Sequence, residues 1–225
     1  MLKKYIKAGI LLIVLGIPAF VFIFLKVFGE NKFDLPHYFP ELDESGEVRV
    51  VNGDTVFVTV PQFTLTDQDS SLMQYQNSDI SVVNFFFSRC GTVCPITNKN
   101  LLRVAENFKT YDAVKIYSLT VDPVFDRPYV LKKYASELGA NYKNWRFLTG
   151  DKKYIYDLAI KGFKLPVSDA SEYDKNIVDI DQTFIHSDKL LLVDTKGHIR
   201  GIYEGTNKSD IERLVVEIKV LLKDR

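Results

Sequence analysis

The stretch ISVVNFFFSRCGTVCPITNKNL, residues 80–101, carries the reading of the fold. Its first nine residues, 80–88, form an apolar run with the length and β-branched, aromatic content of a strand buried on both faces of a sheet. Beyond it Thr97, Leu101, Val104, Ala105 and Phe108 recur at helical spacing. Pro95 suits the first turn of that helix, where a missing N–H loses no hydrogen bond. Two cysteines, Cys90 and Cys94, stand at the junction between strand and helix.

Outward from this junction the pattern keeps alternating. VKIYSLTV (114–121) reads as the next strand, followed by a helix around 127–138 that ends at Gly139. WRFLTG (145–150) is a short strand and turn, and 151–161 is helical. LLLVD (190–194) and IRGIY (199–203) predict a hairpin across Thr195, Lys196, Gly197 and His198. A final helix is expected from Ser209, with Glu212 completing a capping box, and Ile211, Leu214, Val215, Ile218, Leu221 and Leu222 make its apolar face. Upstream, RVVNGDTVFVTV (49–60) predicts a hairpin turning at Asn52-Gly53, with 61–65 extending its second strand. The order β-β-α-β-α-β-α-β-β-α predicts an α/β fold, a central mixed sheet flanked by helices. A strand–Cys–helix junction leading into β-α-β, then a hairpin and a terminal helix, is the thioredoxin-like arrangement, here over residues 56–225.

Residues 8–25, AGILLIVLGIPAFVFIFL, hold no charge, and a bilayer span takes about 20 mostly apolar residues. Phe20, Phe22, Phe24 and Phe28 crowd the place where a small-x-small cleavage site would lie, so an uncleaved transmembrane anchor over 1–28 is expected. Lys3, Lys4 and Lys7 before it predict a cytoplasmic N-terminus, with the rest of the chain outside the cytoplasm. No Arg- and Ser-rich transit sequence precedes it, which favours the bacterial cytoplasmic membrane. Residues 29–55 read as a linker, with Pro36, Pro40 and Gly46, and the first strand of the hairpin.

The 225 residues carry 29 basic and 29 acidic side chains. Without residues 1–28, which hold four lysines and no acids, the net charge is −4. No nucleic-acid partner is expected of such a chain, since phosphate neutralisation needs a basic excess. Two cysteines and three histidines exclude a disulfide scaffold and a zinc-finger array.

Residues four apart in a helical turn lie about 5–6 Å apart at Cβ, a separation that suits a shared metal ion or a disulfide. A structural disulfide is the plainer reading, but so short a loop restricts the unfolded chain little. The pair is also one residue longer than the Cys-x-x-Cys of dithiol oxidoreductases. Two thiolates favour Cu(I) or Zn, and an imidazole suits either. His37 reads as solvated in the linker and His198 as a surface turn residue. His186, in QTFIHSDKLLLVD, reads as a surface or hydrogen-bonded histidine as readily as a ligand.

Cys90-Gly91-Thr92-Val93-Cys94-Pro95 after an FFF strand resembles the Cys-x-x-x-Cys-Pro signature of the Sco/SenC family, membrane-anchored thioredoxin-like copper proteins of cytochrome c oxidase assembly. Thr120-Val121-Asp122-Pro123 with Asp126 resembles the family's Asp-Pro-x-x-Asp segment. Trp145-Arg146-Phe147-Leu148-Thr149-Gly150 resembles its Trp-x-Phe-Leu-Thr-Gly, and His186 occupies its distal copper-ligand position. The resemblance covers about residues 60–225. It implies copper, Cu(I) or Cu(II), bound by Cys90, Cys94 and His186, and leaves Asp122 as either a participant or a loop former.

Two functions follow from it. One is a copper metallochaperone that receives the ion from an upstream donor and delivers it to the binuclear copper centre of cytochrome c oxidase subunit II. The other is a thiol-disulfide reductase acting on that subunit's cysteines, with Cys90 and Cys94 as the redox dithiol. A peroxiredoxin-like enzyme would need a peroxidatic cysteine in its own motif, which the sequence lacks.

Overall fold

The computed structural model describes residues 13–24, 34–165, 168–169, 184–185 and 188–223. Two compact units divide the chain, Met1–Asp34 and Leu35–Arg225. In the first, helix α1 (13–24) is exposed along its described length. No helix among the described residues is long and apolar enough to cross a membrane, and the rest of the 8–25 run lies outside them.

The second unit is built on a seven-stranded sheet. Its strands are β3 (Phe63–Asp67), β4 (Leu72–Tyr75), β5 (Ile80–Phe86), β6 (Val114–Thr120), β7 (Trp145–Thr149), β10 (Lys189–Val193) and β11 (Ile199–Glu204), in the order β11-β10-β5-β6-β7-β3-β4. β5, β6 and β7 are parallel, and every other pairing is antiparallel. Helices α2 (Val93–Asn107), α3 (Pro128–Leu138) and α5 (Lys208–Lys223) cover it; α4 (Lys152–Asp157) runs into a π-helical turn, Leu158–Gly162. This is the predicted mixed sheet flanked by helices.

All seven residues of β5 are buried, as its largely apolar run requires. Successive side chains alternate between faces. The Phe85 ring meets Phe163, while Phe86 meets Tyr134 and Phe147. Burying one such side chain contributes roughly 1.5–3 kcal/mol. Asn84, one of its two polar residues with Ser81, accepts a 2.6 Å hydrogen bond from Ser118 Oγ directly opposite on β6, and Trp145 Nε1 of β7 donates to the same hydroxyl at 2.9 Å. This chain of polar groups ties the three parallel strands in register.

The Asn52-Gly53 turn forms as expected: both residues have positive φ, 56° and 90°, between β1 (Val50–Val51) and β2 (Asp54–Thr55). Residues 63–67 do not extend that hairpin. They form β3, which pairs with β4 across a turn where Asp67 Oδ1 accepts the N–H groups of Asp69 and Ser71. The final helix starts at Lys208, and its cap is Asn207, whose Oδ1 takes the Ser209 N–H at 3.0 Å. Ser209 therefore lies inside the first turn.

Residues 35–42, within the segment read as a linker, are laid against the domain. Tyr38 N–H donates to the Ile199 carbonyl, and Pro40 bridges to Phe57. Arg200 reaches the Pro36 carbonyl at 3.1 Å through Nε and the Leu35 carbonyl through Nη2. Two further short strands, β8 (Ser168–Asp169) and β9 (Phe184–Ile185), pair antiparallel.

Candidate metal centre

Cys90 and Cys94 are not joined by a disulfide and are nearly enclosed, at 6% and 4% exposure. Their junction is built by the end of β5 and the start of α2. The N-cap residue, Thr92, makes no capping hydrogen bond with its side chain. The acceptor is instead Cys90 Sγ, which receives the Cys94 N–H at 3.4 Å. A capping side chain ordinarily takes the N–H of the second or third helical residue, and Cys94 is the second. Pro95, the third, has no N–H to satisfy. The Cys90 sulfur thus sits at the positive end of α2 with an N–H directed at it, a setting that favours negative charge on sulfur.

The two residues before Cys90 are held by the loop after β6. Ser88 donates to Asp126 through its backbone N–H, at 3.0 Å, and through its hydroxyl; Thr120 Oγ1 donates to the same carboxylate at 2.5 Å. Burial pushes the Asp126 carboxyl above the ordinary carboxylate range, against the three hydrogen bonds that pull it down. Arg89 pairs with Asp122 at 2.5 Å and lies 4.1 Å over the Phe125 ring. Asp122 thus holds Arg89 at the base of the cysteine segment. Tyr134 accepts a 2.7 Å hydrogen bond from Asn98 Nδ2 behind α2, and its hydroxyl is pushed up to about 12, chiefly by burial.

His186 lies outside the described residues. The chain that follows it returns to the cysteines: Asp188 and Lys189 line, with Cys94, Thr97, Val93 and Asn84, a cavity of about 10 Å³. Gly205 fastens this return. Its N–H donates to the Asp188 carbonyl at 2.9 Å, and its carbonyl accepts from Asn100 Nδ2 of α2 at 2.8 Å. A Cβ there would stand 2.5 Å from Thr97 Cγ2 and 2.9 Å from the Asp188 carbonyl oxygen. Gly205→Ala is expected to destabilise the domain by about 1–3 kcal/mol, since overpacking against backbone has little room to relax. Chemical denaturation checks this, and a stability equal to the parent's would contradict the close approach.

The other two histidines are not at this site. His37 and His198 meet one another beside Asp194, at the end of β10 whose Val193 pairs with Ser81 at the start of β5. Sequence reasoning assigned no role to Ser88, Arg89, Asn98 or Tyr134. Thr120, Asp122 and Asp126 carried a signal, through the motif segment in which they lie.

Comparison with known proteins agrees with the arrangement. A SCO1 protein homolog of Bacillus subtilis (strain 168) is 27% identical over 164 residues, 71% of this chain and 81% of the relative. The solved structure of BsSco, a member of the Sco family of cytochrome c oxidase assembly proteins in which a disulfide switch was identified, superposes with a TM-score of 0.60 and 27% identity, over 75% of this chain and 95% of its own. Bradyrhizobium japonicum ScoI, solved with copper bound, shares the fold at a TM-score of 0.59 and 21% identity, over 73% of this chain and 99% of its own. The SCO1/SenC family model matches residues 53–223, from the Asn52-Gly53 turn to the last helix and with both cysteines inside it. The chain belongs to the SCO1/SenC family.

Proposed function

We propose that this chain is a copper-binding protein of cytochrome c oxidase assembly, with the ion carried as cargo between the thiolates of Cys90 and Cys94 and the imidazole of His186. The observation that carries the reading is the pair of enclosed cysteine thiols where β5 meets α2, with the Cys94 N–H directed at Cys90 Sγ. Two soft thiolates and an imidazole suit Cu(I) in a trigonal site. The copper-bound ScoI of the same fold supports the choice of ion, and the return of Asp188 to Cys94 supports His186 as the third donor. The ion's destination in this reading is the binuclear copper centre of cytochrome oxidase subunit II, and its source is an upstream copper donor. Residues 1–28 anchor the protein in the bacterial cytoplasmic membrane, with the domain on the extracytoplasmic side.

A second reading, a thiol-disulfide reductase acting on the same subunit, is favoured by the reduced Cys90/Cys94 pair and by the disulfide switch of BsSco. The two readings separate on His186, since dithiol exchange does not need it. The test titrates Cu(I) into the full chain, detergent-solubilised and reduced, against a competing chelator. One equivalent is expected to bind tightly. His186→Ala is expected to weaken it at least about tenfold, as loss of a donor outweighs the loss of an outer partner. Oxidation of Cys90 and Cys94 to the disulfide should abolish binding, because only thiolates ligate. Unchanged affinity in His186→Ala would remove it as a ligand and favour the reductase.

A further inference from the structure

His37 and His198, read from sequence as a solvated residue and a turn residue, are brought together by tertiary structure. Thr59 bridges to His198, Tyr38 donates to Ile199, and Arg200 grips the Leu35 and Pro36 carbonyls, so the segment carrying His37 lies across the β10–β11 turn. The two imidazoles meet edge to face at 5.2 Å between centroids, with Phe57 stacked on His37 at 4.9 Å. One nitrogen of each imidazole and one oxygen of Asp194 all lie within 4.8 Å of one another.

The carboxylate is already oriented. Asp194 Oδ1 accepts the N–H groups of Lys196 and His198, each at 2.9 Å, and Oδ2 accepts Arg200 Nη1 at 3.0 Å. A carboxylate offers about four acceptor positions, so one remains, on Oδ2. His198 Nδ1 stands 3.7 Å from that oxygen, too far for a hydrogen bond, and it is enclosed without a hydrogen-bond partner among the described residues. Atoms this far apart, each about 2.0–2.2 Å from a shared ion, subtend about 120° at it, within the range of a four-coordinate site. A pair at the 4.8 Å limit must close by about 1.2 Å to reach the same angle, a movement asked of the half-buried His37 side chain.

We propose that His37, His198 and Asp194 form a second metal site, for a borderline divalent transition ion of the Zn²⁺ class, at the end of the sheet opposite the cysteines. Two imidazoles and one carboxylate select such an ion over Mg²⁺ or Ca²⁺, which take oxygen donors. Arg200 sharpens that selection: by sharing the carboxylate it reduces the negative charge on offer, so the imidazoles supply most of the binding. The six residues of β5 from Ser81 to Phe86 separate the ends of the sheet by about 17 Å before Cys90 is reached. The site is therefore independent of the thiolates. Its ion clamps the segment 35–40 to the turn between β10 and β11.

The test uses the full chain carrying Cys90→Ser, Cys94→Ser and His186→Ala, which removes the cargo site and leaves His37 and His198 as its two histidines. Zn²⁺ is titrated while the two imidazole signals are followed by NMR. The expected result is that both signals shift together, saturating at one equivalent, that Mg²⁺ moves neither, and that His37→Gln or His198→Gln each lowers the Zn²⁺ affinity at least tenfold. The proposal is overturned if either imidazole signal stays unmoved at millimolar Zn²⁺, or if both glutamine variants bind as tightly as their parent. The NMR arm needs no variant of His37 or His198 and so stands even where substituting either of them unfolds the chain.

Discussion

The full chain carrying Cys90→Ser and Cys94→Ser is expected to lose Cu(I) affinity by more than about 10³, well beyond the 10–100-fold that an outer-shell partner commands. A serine hydroxyl is hard and stays protonated at neutral pH, so it cannot replace a thiolate toward a soft ion. The structure makes this substitution unusually clean at Cys90. Its sulfur accepts the Cys94 N–H at the start of α2, and a serine hydroxyl in its place is also an acceptor. Cys90→Ser should therefore keep its stability within about 1 kcal/mol of the parent while copper binding is lost. Competition against a chelator of known affinity, run beside a denaturation curve, separates the two effects. Copper retained by the double variant would remove the cysteines from the site.

Asp126→Ala is expected to cost about 3 kcal/mol or more, because it leaves the Ser88 N–H and the hydroxyls of Ser88 and Thr120 without their shared acceptor. For a domain of this size that corresponds to a fall in Tm of roughly 6–12 °C. Copper affinity should fall too, by about 10–100-fold, since Ser88 and Arg89 position the cysteine that follows them. The pH dependence has a definite sign. The folded carboxyl, raised by burial, binds its proton more readily than the unfolded one. Its contribution to stability therefore declines as pH rises from the unfolded carboxylate range through the raised folded value. Asp126→Asn lacks that titration. The parent should gain on Asp126→Asn as the pH is lowered through this window, and the opposite slope in paired thermal melts would contradict the burial argument.

The centre of the fold is legible in sequence because its signals are local. The run 80–88, the helical spacing after Cys94 and the Asn52-Gly53 turn each state their own conformation, and each appears in the structure. The β3–β4 hairpin escaped because its turn contains no glycine: Ser70 adopts a φ of 63° and Asp67 supplies the acceptors. Residues 35–42 escaped because they are held by isolated bridges and by one arginine 158 or more positions later in the chain, contacts that leave no periodicity. Cys90 and Cys94 were readable from spacing and residue type. His186 came from family resemblance, and the partnership of His37 with His198 is purely tertiary.

The pairings of β5 also have a consequence for the order in which the domain is completed. One edge of this apolar strand is matched by β6, made soon after it; the other waits for β10, where Val83 meets Leu191, more than a hundred residues downstream. Distant pairings of this kind form late, since a long loop must close first. Until residues 189–193 have been synthesised and docked, the growing chain presents an unpaired hydrophobic edge with Cys90 and Cys94 just beyond its end. A chain cut short before residue 189 is thus an unfinished sheet prone to self-association, with its thiols uncovered at the stage when it is most adhesive.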